Sequence, residues 1–257
     1  FKNRILEMTF LNYIVSFSPT GKSLNAMRKL GELLGRDFKE IDLCSLKERE
    51  KKTEFKSDDF VIIGSPVYGG RIPPVEGLFS NIFGEDTPCV VCSCFGNRDY
   101  DDALLELKNK VESQGFKCIG ACALVIPHVY SEVLGKDRPD EKDIEEMKDF
   151  AGEINEKLRT GDLSEITVKG NFPYKEWKMN GNVPAPDENC IKCGKCAVSC
   201  PVGAISNRDF KADEKLCIRC TKCLYVCPVS CRKMDFSAVT KRLEENFSRR
   251  KDNEYFI

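Results

Sequence analysis

The first 160 residues alternate short apolar runs with amphipathic stretches. Residues 9–17 (Thr-Phe-Leu-Asn-Tyr-Ile-Val-Ser-Phe) are rich in aromatic and β-branched side chains and predict a strand. Leu24, Met27, Leu30 and Leu34 then recur at helical spacing, and Gly35 closes that helix. Phe38–Leu43 predicts a second strand, Ser45–Lys52 a short exposed helix, and Phe60–Gly64 a third strand bounded by charge and glycine. A helix is expected from about Pro74 to Ile82. Cys89–Cys92 predicts strand four, Asp102–Gln114 a helix stopped by Gly115, and Phe116–Ile126 strand five. The next helix runs from near Pro139 to Leu158, with Asp140, Glu141 and Asp143 in the first turn, where the helix dipole favours acids. Periodicity then lapses until Ser237–Arg250, where Val239, Leu243 and Phe247 share one helical face.

Strands alternating with helices five times predict an α/β, doubly wound parallel sheet. The near-continuous apolar strands agree, because such strands are buried on both faces. Five strands fit the flavodoxin-like order 2-1-3-4-5, in which ligands bind beyond the carboxyl ends of the strands at the switch point. The loops after strands one, three and four should therefore converge. They read Ser18-Pro-Thr-Gly-Lys-Ser23, Ser65-Pro-Val-Tyr-Gly-Gly-Arg-Ile-Pro-Pro74 and Phe95-Gly-Asn-Arg-Asp-Tyr100. Hydroxyls and free N–H groups at a helix N-terminus make an anion socket. Ser18, Thr20, Gly21, Lys22 and Ser23 form that socket, Pro66, Tyr68 and Gly69 offer a flat surface, and Phe95, Gly96, Asn97 and Tyr100 offer a wall. Jointly they suit the phosphate, ring faces and ring edge of FMN; the bland alternative is that the aromatics only pack loops. A nucleotide-binding P-loop is the competitor for Gly21-Lys22-Ser23, but its first glycine would fall at Ser16.

Fifteen cysteines change the picture downstream. Eight of them read Cys190-x2-Cys193-x2-Cys196-x3-Cys200-Pro201 and Cys217-x2-Cys220-x2-Cys223-x3-Cys227-Pro228. In such runs three thiolates wrap one iron–sulfur cube and the fourth ligates the other. Cys190, Cys193, Cys196 and Cys227 would hold one [4Fe–4S] cluster, and Cys217, Cys220, Cys223 and Cys200 a second. The repeat, offset by 27 residues, also matches Ile191 with Ile218 and Lys195 with Lys222. Both isoleucines are expected to shield a cluster from water. A disulfide framework suits secreted chains instead. Zinc sites usually take two separated ligand pairs, which leaves the third Cys and the prolines without a role. The stretch closely resembles bacterial two-cluster ferredoxins over about 45 residues, implying a small α+β domain.

Charge divides the chain. Residues 188–251 carry 14 Lys/Arg against 7 Asp/Glu, and residues 1–187 carry 26 against 32. That balance fits docking of a basic cluster region and argues against nucleic acid. The seven other cysteines (Cys44, Cys89, Cys92, Cys94, Cys118, Cys122 and Cys231) lack ligand spacing as a set and read as small buried hydrophobes in a reducing, cytoplasmic compartment. No apolar run approaches about 18 residues, so no transmembrane segment is expected. Residues 2–17 imitate a signal peptide but lack a small-x-small cleavage site, and Met8 reads as a native start. The expected divisions are 1–160, 161–187 as a linker pinned by Phe172, Tyr174 and Trp177, 188–236, and a helix with tail over 237–257.

Taken together, the chain resembles the flavodoxin–ferredoxin fusions, described as flavoferredoxins or EFR-type ferredoxins. The resemblance spans nearly all of 9–236. It rests on Ser18–Ser23, Pro66-Val-Tyr-Gly-Gly-Arg-Ile-Pro73, Gly96-Asn-Arg-Asp-Tyr-Asp-Asp-Ala-Leu104, His128 with Arg138-Pro-Asp-Glu141, and Gly170-Asn-Phe-Pro-Tyr-Lys175. It implies FMN, two [4Fe–4S] clusters and electron transfer. By position, Ser18, Thr20, Gly21 and Ser23 would hold the phosphate, and Tyr68, Gly69, Gly96, Asn97 and Tyr100 would surround the ring. The family usually has Gly at position 19 and Asn at position 22, where this chain has Pro19 and Lys22. Pro19 removes one N–H donor; Lys22 either offsets the loss by charge or points to solvent.

The expected function is an electron carrier coupling one- and two-electron steps. Lys192, Lys195, Arg219 and Lys222 beside the ligands predict a redox partner protein with an acidic docking face. Two alternatives stand beside it: an FMN-dependent reductase of a small organic acceptor fed by the clusters, and a ferredoxin whose flavodoxin-like domain has lost flavin and only docks a partner. His128, the only histidine, is read as a proton source near the ring or, preferably, a hydrogen-bonded loop anchor. Arg138 is read as pairing with flavin or a partner, or as a surface residue.

Overall fold

The computed structural model describes residues 11–178 and 181–257. The readings on residues 1–10, including Met8 and the start of the first strand, lie outside them. The elements are β1 (Leu11–Ser16), α1 (Lys22–Leu33), β2 (Lys39–Asp42), α2 (Leu46–Glu50), β3 (Thr53–Phe55), β4 (Asp59–Pro66), β5 (Ile82–Gly84), β6 (Thr87–Phe95), α3 (Ala103–Glu112), β7 (Phe116–Val125) and α4 (Glu141–Thr160). They are followed by β8 (Ala185–Pro186), α5 (Lys195–Val198), α6 (Lys222–Tyr225), β9 (Arg232–Lys233), α7 (Ser237–Phe247) and β10 (Glu254–Phe256).

The main sheet runs β10-β7-β6-β4-β1-β2. Its five strands β2-β1-β4-β6-β7 are mutually parallel, which is the doubly wound flavodoxin-like order expected from the sequence. β6 is buried along its whole length and β4 along all but its last residue, as two-sided burial demands. Leu30, Met27, Phe150 and Ile154 from α1 and α4 fill one face, and Leu104, Leu107 and Val111 from α3 fill the other. Gly64 permits the tightest approach. A Cβ there would lie 2.5 Å from the Met27 sulfur and 2.7 Å from the Cys92 carbonyl. Among the described residues no helix is long and apolar enough to cross a membrane.

Two segments depart from expectation. The helix expected over Pro74–Ile82 is a run of turns leading into β5, which pairs in parallel with β3. Gly77 and Phe79 hold φ of 68° and 64°, conformations no right-handed helix contains. The chain after α7 is also more than a tail. β10 adds antiparallel to β7, with Tyr255 opposite Cys122, and so covers a bare sheet edge. Arg138, neither a flavin partner nor a surface residue, sits in a buried pair with Asp143 and donates to the Lys251 carbonyl at 2.9 Å. Asn253 completes the anchor by accepting from the Val125 amide at 2.8 Å.

Residues after α4 are held rather than loose. Asp102 accepts from the amides of Asn171 and Lys175 at 2.8 and 2.6 Å. Arg71 pairs with Glu106 and donates to the Lys175 carbonyl at 2.6 Å. Cys196, Ile205, Phe210 and Cys223 form a small separate core downstream.

Candidate functional site

The loops after β1, β4 and β6 converge as the topology requires. In the first, Gly21 adopts φ 80° as the N-cap of α1, and its amide bonds the Ser18 carbonyl at 3.1 Å. The Ser18 hydroxyl accepts from the Leu24 amide at 3.0 Å. The amides of Thr20, Lys22 and Ser23 bond to none of the described residues, and α1 has no side-chain cap. Three free N–H groups at a helix N-terminus suit a phosphate despite the donor lost at Pro19. The Lys22 side chain is partly buried and tied down away from its own amide. Its ammonium donates to the His128 carbonyl at 3.1 Å, and burial lowers its pKa.

A cavity of about 180 Å³ opens from this loop, lined by Ser18, Thr20, Ser23, Pro66, Tyr68 and Gly69, with Gly96 and His128 opposite. It adjoins a larger cavity of about 610 Å³. Tyr68, Gly69, Gly96, His128, Tyr130 and Arg219 line both. Gly96 is obligatory here, because a Cβ would lie 2.3 Å from the His128 ring. The His128 Nδ1 accepts from the Tyr130 amide at 3.0 Å. Burial, with a smaller contribution from Lys22, pushes the His128 pKa down to about 4, so the ring is neutral at pH 7. The residue is an anchor that also walls the cavity.

Two expected ring neighbours are turned away. Asn97, at φ 63°, donates to the carbonyls of Phe247 and Arg249 at 2.7 and 3.0 Å and accepts from the Lys251 amide at 3.0 Å. The Tyr100 hydroxyl donates to Glu254 at 2.8 Å, and its ring packs on Phe95, 5.6 Å away. Both serve the C-terminal tail and line neither cavity. Trp177 takes part instead, walling the larger cavity beside Gly69. Its signal was a lone tryptophan in an aperiodic stretch.

The cysteine repeat folds into two cages. Cys190, Cys193, Cys196 and Cys227 line one cavity, and Cys200, Cys217, Cys220 and Cys223 line another, so the crossed sets of the spacing are brought together. Among the described residues no three His, Cys, Asp or Glu side chains converge as a single metal ion requires. Each cage also presents a buried polar atom without a partner, Arg232 Nε at the first and the Thr221 hydroxyl at the second. Donors left bare in this way suit the sulfides of an iron–sulfur cluster. Arg232, missed in the sequence, is buried and lies 3.7 Å from the Cys196 sulfur. Cys231 lines the first cage too, its sulfur 3.4 Å from that of Cys227. It is buried, as a small packing residue would be.

The cages sit differently. Ile218 is 4% exposed and belongs to the core of the main sheet, whereas its repeat partner Ile191 is 60% exposed. Both isoleucines line their cages, Ile218 from within the sheet core and Ile191 from the exposed surface. Around the second cage, Tyr130 donates to the Arg219 carbonyl at 2.8 Å and Arg49 donates to the Pro201 carbonyl at 2.6 Å. Cys220 of that cage lines the smaller cavity alongside Ser18 and Tyr68.

Residues 186–206 match the family model described as a 4Fe-4S binding domain, which supports a [4Fe–4S] cluster here. No curated protein matches the chain. Among solved structures, a flavodoxin from the domain Archaea is 15% identical, covering 58% of this chain and 99% of its own, with a TM-score of 0.38. A flavodoxin of Streptococcus pneumonia TIGR4 is 18% identical, covering 57% of this chain and 99% of its own, with a TM-score of 0.39.

Proposed function

We propose that the chain is an electron-transfer protein of the flavodoxin–ferredoxin fusion type, holding FMN at the converging loops and one [4Fe–4S] cluster in each cage. The observation that carries this reading is Cys220, a cage thiol that shares a cavity wall with Ser18, Thr20 and Tyr68. The free amides of Thr20, Lys22 and Ser23 would take the phosphate, and Tyr68, Gly69 and Gly96 would flank the ring. When bound, FMN would exchange two electrons on one side and single electrons on the other, and the clusters would carry them singly. Ile218, Tyr130 and Arg49 hold the second cage against the flavin loops. The first cage faces outward, where Lys192 and Lys195 would meet an acidic partner protein. The divisions 1–160, 161–187, 188–236 and 237–257 belong to this proposal, with the last packed on the first. So does a reducing, cytoplasmic setting: all fifteen cysteines are free, and the seven outside the cage sets are buried.

Anaerobic purification followed by flavin, iron and acid-labile sulfide analysis tests the design. About one FMN with about eight iron and eight sulfide per chain is expected. About eight iron with no flavin, even after FMN is added, would leave the docking-module reading and point to Pro19. About four iron would leave a single cluster.

A second reading, reduction of a small organic acceptor at FMN, is favoured by the larger cavity, which continues beyond the flavin loops.

A further inference from the structure

The larger cavity has two parts. One is the wall it shares with the smaller cavity. The other is a wing built by Trp177 and Lys178 of the linker and by Arg242, Leu243, Asn246 and Phe247 of α7, residues outside every flavin motif. Its charge is lopsided. Arg98, Lys178, Arg219 and Arg242 line the cavity against the single carboxylate of Asp99, and that carboxylate already pairs with Lys251 at 3.4 Å. Arg98 pairs with Asp101, and Lys178 with Glu176. The other two cations have no carboxylate among the described residues. Arg219 donates only to the carbonyls of Gly181 and Cys217. The Arg242 guanidinium bonds to none of them.

A guanidinium left unpaired beside apolar and aromatic walls is a receptor for a planar carboxylate. The cavity's 610 Å³ falls within the size range of small-molecule sites. We propose that the wing binds a small organic carboxylate, its anionic group on Arg242 and its carbon body against Trp177 and Phe247. This rests on the reading that flavin occupies the shared wall, and it assigns the wing the anionic acceptor that such a flavin would face.

The test uses the full chain with its clusters, before and after FMN loading. Calorimetric titration with succinate and with hexanoate is compared with hexanamide and inorganic phosphate. Trp177, the only tryptophan, locates the binding through its fluorescence without calling on flavin. The expected result is saturable binding of a carboxylate, at least tenfold tighter than the amide or phosphate, with a Trp177 response that survives FMN loading. Arg242→Gln, on an exposed helix position, should weaken that binding at least tenfold. No saturable carboxylate binding overturns the proposal, as does equal affinity for phosphate or an unchanged affinity in Arg242→Gln. Loss of binding on FMN loading also overturns it, because the wing would then belong to the flavin site. A chain that binds no flavin defeats the functional reading alone, since its Trp177 response is still measured.

Discussion

The two halves of the cysteine repeat are nearly one sequence in two environments. Ile218, Arg219 and Lys222 stand at the same repeat positions as Ile191, Lys192 and Lys195. Ile218 is sealed into the core of the main sheet, and Arg219 is tied to backbone carbonyls. Ile191, Lys192 and Lys195 are exposed. Cluster-ligand spacing is therefore a local property of the chain, while the setting of each cage comes from what docks on it. The difference also gives the molecule a direction, with one cage at the converging loops and the other at the surface.

The largest expected effect comes from cutting both isoleucines to alanine. Ile218→Ala removes buried methylenes and leaves a cavity, costing about 3 kcal/mol. Ile191→Ala, at the surface, should stay within about 0.5 kcal/mol. Urea unfolding under anaerobic conditions, followed by circular dichroism, measures both. Equal costs would erase the difference between the cages.

What the sequence made legible follows the same division between local and distant causes. The five parallel strands were readable because burial on both faces leaves continuous apolar runs such as Phe60–Ile63 and Cys89–Cys92. The crossed cysteine sets were readable because ligand geometry is written in short spacings. Asn97 and Tyr100 were not, because their partners lie about 150 residues away, at the end of α7 and just beyond it for Asn97 and in a three-residue strand for Tyr100. The missing helix after Pro74 turned on Gly77 and Phe79, whose left-handed backbone only the packed fold reveals. Nothing in the isoleucines themselves distinguishes 191 from 218.

Next in size is an acid effect confined to the inner cage. His128 lies in the loop whose Tyr130 holds Arg219. Its folded pKa, about 4, is below the ordinary value of 6.5, because burial and then Lys22 oppose its charge. The unfolded chain thus takes up the proton first. The stability that depends on a neutral His128 is complete above about pH 6.5 and declines as pH falls toward 4. At pH 5 the loss is about 2 kcal/mol. His128→Asn keeps an acceptor for the Tyr130 amide but cannot titrate. Its unfolding at pH 7 and pH 5 should differ less than that of the native chain by about that amount. An identical pH dependence in both would remove His128 as the source.

The smallest effect belongs to the outer cage and concerns rate rather than stability. Lys192 and Lys195 are exposed beside Cys193, whereas Arg219, their inner counterpart, spends its donors on the carbonyls of Gly181 and Cys217. The outer pair is placed to steer an acidic partner. Replacing both lysines by glutamine should slow electron exchange with such a partner a few-fold at low ionic strength. The difference should shrink as salt shortens the Debye length to about 8 Å near 0.15 M. Arg219→Gln should leave that salt dependence intact, because its charge lies at the cavities of the converging loops. Stopped-flow reduction by an acidic protein donor across an ionic-strength series separates the cases. A salt dependence that follows Arg219 instead of the two lysines would reverse the assignment of inner and outer cage, because electrons would then enter where the repeat is buried.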